Sequence, residues 1–276
     1  MAPRISVVIP CYDDGATVAD AVHSVREAEP VEIVLVDDGS QDRATIAALD
    51  ALGQRDDVRL LRQANAGVSA ALRAGTAAST APYVFVLNSD DLAEPGALGA
   101  LADALDRSPR HAFAFGWIQM FGDLDALVRQ PPWNPWILLH SNRWAISSLY
   151  RRTALERVGG FSDSEGYEDW DLLLSLAEHD LPGVLVPRVV LHYRQHGAGR
   201  RNRAAMTSLR TIHAGFRRRH AALFAREPEL RRAYPLPVAT RLAYRAQLYA
   251  GLLLPGSLVP GVLALKWRLR ARLSGG

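Results

Sequence analysis

Short apolar runs alternate with amphipathic stretches along the first half of the chain. Residues 5–9 form a β-branched, largely apolar run closed by Pro10, the pattern of a strand covered on both faces and hence of a parallel sheet. The turn Asp13-Asp14-Gly15 can cap a helix over 16–28, where Val18, Ala21, Val22 and Val25 fall at helical spacing. The same reading predicts strands at 32–36, 58–61 and 83–87, with helices at about 44–52 and 68–78 between them. The order is β-α-β-α-β-α-β.

Beyond it the pattern predicts a helix at 97–106 and an aromatic strand at 113–121. A loop follows at 129–136, where three prolines and two tryptophans crowd together. Residues 148–158 read as strand then helix, ended by Gly159-Gly160. An acidic segment at 162–171 leads into a helix through Leu172, Leu173, Leu176 and Ala177, and the last strand is 184–193. These elements make one domain over 1–199, with halves of about 1–95 and 96–199, and a C-terminal helical extension over 200–276. The extension is arginine-rich at 200–232 and apolar at 246–265, where Pro255, Gly256, Pro260 and Gly261 interrupt a run otherwise near bilayer-spanning length. Arg241 and Arg245 before it, and Lys266, Arg268, Arg270 and Arg272 after it, suit peripheral contact with an anionic membrane; helices packed on the catalytic domain or on a partner subunit fit equally.

A chain of 276 residues with 49% hydrophobic and 22% charged residues buries a full core and has no composition for long disorder. The net charge of +3 is carried almost wholly by arginine, Lys266 being the single lysine. A solvated arginine surface and attraction to phosphate-bearing ligands both fit it. The lone Cys11 excludes an internal disulfide framework and a cysteine zinc site, pointing to a reducing cytoplasmic setting. Met1 runs into the first strand within four residues, so no signal peptide is expected.

The chemistry collects at strand ends. The second predicted strand runs into Asp37-Asp38-Gly39-Ser40 and the fourth into Asn88-Ser89-Asp90-Asp91. Ligands of open parallel sheets bind outside the carboxyl ends of the strands, so the two acidic turns should converge on one crevice. Asn88, Ser89, Asp90 and Asp91 offer hard oxygen ligands suited to Mg²⁺ or Mn²⁺, which in turn neutralises a diphosphate; an aspartate-rich turn capping the next helix is the alternative. Asp37 and Asp38 repel phosphate, so their partners are donors such as a base N–H or a ribose hydroxyl, and the Tyr12 ring can pack on a nucleobase or on neighbouring side chains.

Seven segments, SVVIPCYDD, IVLVDDGS, NAGVSAALRAG, FVLNSDDLAEP, RRTALERVGGF, EGYEDWDLLLSLAE and HYRQHGAGR, occur in the order and approximate spacing of the family 2 inverting glycosyltransferases, which the chain resembles over about 4–200. The resemblance implies the GT-A fold, an α/β nucleotide-diphospho-sugar transferase with a mostly parallel twisted sheet flanked by helices. It implies a UDP-, GDP- or dTDP-linked sugar as donor, and a glycan, lipid-linked or small-molecule acceptor. On it, Pro10, Tyr12, Asp13, Asp38, Asn65, Gly67, Arg73, Asn88, Ser89 and Asp90 surround the donor, with Asp38 at the base. Asp90, Asp91 and His196 hold the Mn²⁺ or Mg²⁺, and Arg194 can meet phosphate oxygens or form a plain salt bridge. Glu168 and Asp169 match the family's Glu-Asp pair, with Asp169 as general base; read without the family, they favour a helix N-terminus. Two departures stand out: Asn88 replaces the usual first aspartate, and Leu72, followed by Arg73, stands where an arginine is common.

Trp117, Trp133, Trp136 and Trp144 lie where an acceptor pocket would form, and each by itself suits core packing better. A nucleotidyltransferase is the first rival, yet the turn after the first strand is acidic rather than glycine-rich and basic. A non-catalytic nucleotide-sugar binding module is the second, against which Asp90 and Asp169 weigh. No G-x-G-x-x-G follows the first strand, and nucleic-acid binding has only Arg217-Arg218-Arg219 behind it. The expected location is the cytoplasm, at the inner face of the membrane if the extension binds there.

Overall fold

A computed structural model describes residues 2–162, 167–195 and 209–253. Its strands are β1 (Ile5–Cys11), β2 (Val31–Asp37), β3 (Val58–Arg62), β4 (Tyr83–Val86), β5 (Leu92–Ala93), β6 (Phe113–Gly122), β7 (Ala126–Val128), β8 (Leu149–Arg151) and β9 (Gly183–Gln195). They join in one sheet of order β3-β2-β1-β4-β8-β6-β9-β5, with β7 paired to β6. The sheet is parallel from β3 through β4 and again between β6 and β9, and β8 runs antiparallel to both β4 and β6.

Every residue of β1 is buried, as its apolar run requires. Alternate side chains serve opposite faces. Val8, Val34, Val36, Val84 and Val86 meet α3 (Val68–Ala78), while Val7, Ile9, Ile33, Leu35 and Phe85 meet α1 (Val18–Ser24), α2 (Arg43–Leu52) and α4 (Ala97–Asp106). Helix α3 approaches so closely that a Cβ on Gly75 would stand 2.4 Å from Val8 Cγ1. Between β2 and β4, β1 is the point at which strand order reverses, because β2 and β3 lie on one side of it and β4 on the other. The backbone of Val8 faces β4, where its carbonyl accepts from Leu87, and that of Cys11 faces β2, where its carbonyl accepts from Asp38. Pro10 therefore presents its missing N–H on the β4 side, where β4 has already ended and the sheet opens.

Some elements differ from the pattern read along the chain. Helix α1 is shorter than the predicted 16–28. Its start is held by the Asp14 carbonyl, which accepts from Thr17 and Val18, and its chain leaves the helix at Val25 so that the Glu27 carboxylate can accept from Leu98 N and Gly99 N at the start of α4, both at 3.0 Å. Inside the predicted loop, Asn134 caps the single turn α5 (Pro135–Leu138) through Ile137 N. Strands β5 and β7 are too short for periodicity to reveal and exist only through their partners β9 and β6. The strand-helix pair expected at 148–158 is β8 and α6 (Arg152–Arg157), and the acidic segment leads into α7 (Glu168–Glu178).

The described part of the extension, α8 (Leu209–Arg219), α9 (Ala221–Ala225), α10 (Glu227–Ala233) and α11 (Val238–Leu253), packs on the second half of the sheet domain. Phe216, Leu223 and Leu230 enter the same core as Trp136, Trp170 and Leu173. Polar ties reinforce the seam: His220 bridges Asp171 (3.1 Å) and Glu178 (2.9 Å), and Glu227 accepts from Trp136 Nε1 (2.7 Å) and Arg245 (2.8 Å). Among the described residues no helix is long and apolar enough to cross a membrane. The rest of the apolar stretch at 246–265, from residue 254 on, lies outside the described residues.

Phe216 is fully buried against Trp170, with ring centroids 5.4 Å apart. Phe216→Ala is expected to lower the main cooperative unfolding free energy by about 3–5 kcal/mol, measured by urea denaturation. An unchanged main transition would mean that the helices do not share the core.

Candidate functional site: the crevice at the strand ends

The turns after β1, β2, β3 and β4 meet at the open end of the switch point. Asp13, in the left-handed region at φ 53°, turns its carboxylate Oδ1 to the backbone N–H groups of Gln41 (2.8 Å) and Asp42 (2.9 Å), binding the β1 turn to the β2 turn. Ser89 Oγ donates to Asp14 Oδ2 at 2.6 Å, binding the β4 turn to the β1 turn across the gap that Pro10 leaves. Tyr12 is 40% exposed at this rim, so its ring face is available to a ligand.

Asp38 is buried and accepts three hydrogen bonds, from Gln63 Nε2 (2.7 Å), Ala66 N (2.9 Å) and Gly67 N (2.8 Å). It thereby shapes the loop after β3 that carries the exposed Asn65. Gly67 (φ 85°) and Gly39 (φ 76°) take left-handed conformations there, and a Cβ on Gly39 would stand 2.6 Å from Asn65 N. Leu72 is fully buried in the core under the sheet, a place unfit for an arginine. Arg73, one residue on, donates to the Phe161 carbonyl at 2.8 Å, reaching from the first half of the domain to the segment that enters α7.

The β4 turn divides its two aspartates. Asp90 is half-buried at the crevice, its carbonyl accepting from Arg194 Nε at 2.9 Å. Asp91 is fully buried: Oδ2 accepts from Asn88 Nδ2 (2.9 Å) and Oδ1 from Arg194 N (2.9 Å). Burial first, and the neighbouring Asp90 charge second, push its carboxyl up to about 7. An aspartate at position 88 could not supply that N–H without a proton of its own, which gives a physical reason for the amide. The Arg194 guanidinium also reaches Asp20 (3.7 Å) and stacks over Phe121, so it forms a protein ion pair in this structure. His196 lies outside the described residues.

Because β8 runs antiparallel to β4, with Phe85 opposite Leu149, the chain entering β8 lies beyond the carboxyl end of β4, on the side of Asp90. Asn142 stands in that stretch. Its Oδ1 accepts from Trp144 N (3.1 Å), which directs Nδ2 to Asp169 Oδ2 (2.6 Å). Asp169 Oδ1 accepts from Trp170 N (2.7 Å) at the first turn of α7. Burial, then the Glu168 charge, raise the Asp169 carboxyl to about 7. Asn142 was not legible as a site residue, since a lone asparagine after a Pro-Trp loop carries no spacing signal. Trp133, Trp136 and Trp144 are buried in the core, and Arg129 stacks on Trp117 at 5.4 Å.

Among the described residues no three His, Cys, Asp or Glu side chains are grouped to hold a metal ion by themselves.

Residues 6–159 match the model of glycosyl transferase family 2. The chain belongs to this family. The N-acetylglucosaminyl-diphospho-decaprenol L-rhamnosyltransferase of Mycobacterium tuberculosis is 31% identical over 249 residues, covering 72% of this chain and 79% of the relative. Glycosyltransferase EpsJ of Bacillus subtilis is 25% identical over 134 residues, covering 48% of this chain and 38% of its own. Other curated relatives are matched over a smaller share of their length, 20% of protein y4gI of Sinorhizobium fredii and 35% of glycosyltransferase GlyG of Streptococcus pneumoniae. In fold, the chain is similar to S. aureus TarS 1-349 in complex with UDP-GlcNAc, with a TM-score of 0.64 at 13% identity, covering 90% of this chain and 72% of that one. The GT-A architecture expected from the motifs is thus the one present.

Folded Asp91 holds its proton to about pH 7, against about 3.9 in an unfolded chain, so its contribution to stability is full below pH 4 and is lost as pH rises through 7. Asn88→Asp adds a second carboxyl that can share a proton only at low pH. It is expected to cost about 2 kcal/mol at pH 8 and clearly less at pH 5.5, measured by urea denaturation at both.

Proposed function

We propose that this family member transfers a sugar from a nucleoside diphosphate donor to an acceptor hydroxyl with inversion at the anomeric carbon. The observation that carries the reading is Asp169: a carboxylate oriented by Asn142 and by Trp170 N–H, brought to about 7, where a general base works best near neutral pH. Each of its oxygens uses one acceptor position on the protein and keeps another for the acceptor hydroxyl.

In this reading the crevice at the switch point takes the nucleotide. The loop that Asp38 shapes, with Asn65 and Gly67, borders the base and ribose, and the exposed Tyr12 ring gives the base a stacking face. Asp90 would hold Mg²⁺ or Mn²⁺ together with the donor diphosphate, and His196 is the proposed additional ligand. When bound, the ion supplies charge stabilisation to the leaving nucleoside diphosphate. Asp91, turned inward, keeps the β4 turn in place for Asp90. The acceptor oxygen attacks the anomeric carbon, the bond from that carbon to the diphosphate oxygen breaks, and the hydroxyl proton passes to Asp169. No covalent sugar-enzyme intermediate is needed.

The acceptor class proposed is a glycan, lipid-linked or small-molecule hydroxyl, and the mycobacterial relative, named for a lipid-diphosphate acceptor, supports the lipid-linked arm. A further proposal is peripheral contact of the extension with an anionic membrane at the cytoplasmic face. The exposed apolar side chains Val238, Leu242 and Tyr249 on α11 support it.

Nucleotide release from UDP-, GDP- and dTDP-sugars, with and without Mn²⁺ or Mg²⁺, is the decisive assay. Turnover of one donor that depends on the ion and falls at least about 10³-fold in both Asp90→Ala and Asp169→Asn is the expected result. A donor that binds but is turned over equally by Asp169→Asn would sink the base assignment.

Asp169 must be ionised to accept the proton, so kcat/KM is expected to fall about tenfold per pH unit below about 7. The Asn142 amide favours the ionised form, so Asn142→Ala should move that acid limb to higher pH, whereas a purely structural role would lower the rate without moving it.

A further inference from the structure

In the second half of the domain, one arginine is partly enclosed without a carboxylate partner among the described residues. Arg143 is half-buried, its Nη1 is closed off from solvent, and among the described residues that nitrogen has no hydrogen-bond partner. The residues on either side hold it in place. Ser141 Oγ accepts from Gln247 Nε2 of α11 at 3.3 Å, Asn142 binds Asp169, and the buried Trp144 donates to the Pro131 carbonyl at 3.1 Å. Its electrostatic neighbour is Tyr244, also on α11, and burial lowers the affinity of the guanidinium for its proton. A guanidinium stays charged in proteins all the same, so an arginine placed here without a carboxylate stands at a cost that a bound anion would offset. Its planar fork matches phosphate oxygens in particular.

We propose that Arg143 is the anion-binding residue of the acceptor subsite, receiving a phosphate or diphosphate group of the acceptor at the seam between the 141–144 segment and α11. The assignment rests on the transferase reading above, and narrows the acceptor to a phosphate-bearing molecule. It also gives the C-terminal extension a part in recognition, because Tyr244 and Gln247 border the seam and α11 must be docked for it to exist. The phosphate can belong to a prenyl diphosphate carrier or to a soluble sugar phosphate.

The test uses the whole chain saturated with UDP, GDP or dTDP, whichever it binds, so that the donor diphosphate position is filled. Binding of geranyl diphosphate and of glucose 1-phosphate is then measured by calorimetry for the wild type, Arg143→Met and Arg143→Lys. The expected result is at least tenfold weaker binding of one probe by Arg143→Met, an intermediate loss by Arg143→Lys, and unchanged nucleotide affinity in both. The probe that responds identifies the lipid or the soluble source. The melting temperature of Arg143→Met should equal or exceed that of the wild type, and the probe should raise the wild-type value alone; a merely structural arginine would lower it on removal. Equal affinity of wild type and Arg143→Met for both probes, or no binding of either by the nucleotide-saturated wild type, overturns the assignment and leaves the transferase reading standing. A wild type that binds no nucleotide at all sinks the transferase reading instead.

Discussion

The Asp91 carboxylate, fully buried with one oxygen on Asn88 and the other on the backbone of Arg194, is the constraint on which the crevice depends. A buried carboxylate is tolerated only when its oxygens are satisfied, so the β4 turn and the end of β9 must stay together. That union carries Asp90 to the crevice and joins the first half of the sheet to the second. The same requirement accounts for an amide at position 88.

Acidic residues here serve two ends. Asp13, Asp38 and Asp91 spend their oxygens on backbone N–H groups and side-chain amides, fixing the turns against one another at the open end of the β1–β4 switch point. Asp90 and Asp169 stand at the edges of that frame, where chemistry is proposed. Asp169 is held, like Asp91, by one amide and one backbone N–H, but it is only half-buried, which leaves room on the carboxylate for a proton in flight. A fixed frame with a few reactive groups at its rim is what positioning catalysis requires.

The C-terminal helices belong to this arrangement rather than trailing from it. Phe216, Leu223 and Leu230 complete the core beneath α7, and the His220 bridge to Asp171 and Glu178 holds the first turns of the extension against the helix that bears Asp169. Burial alone would lower the His220 pKa, but the two carboxylates outweigh it and raise it. This docking therefore strengthens below the ordinary histidine range and weakens as pH rises through the raised value.

By itself the chain determined the alternation of strands and helices, because buried parallel strands demand apolar runs such as 5–9 and 83–87 and the helices between them demand periodic apolar faces. Spacing of acidic turns at strand ends, read with seven ordered motifs, marked Asp38, Asp90 and Asp169 as the residues to watch. Only the tertiary structure decided which aspartate faces inward, since Asp90 and Asp91 are chemically identical neighbours and the inward place of Asp91 is fixed by the Asn88 amide together with the backbone of Arg194, 103 residues away. It likewise decided the strands β5 and β7, Asn142 as the partner of Asp169, and the enclosed Arg143 Nη1, which has no hydrogen-bond partner among the described residues. The physical reason is the same in each case: local propensity and periodicity are written in neighbouring residues, whereas a side chain's burial and its hydrogen-bond partner are set by chain segments that meet only once the sheet has formed.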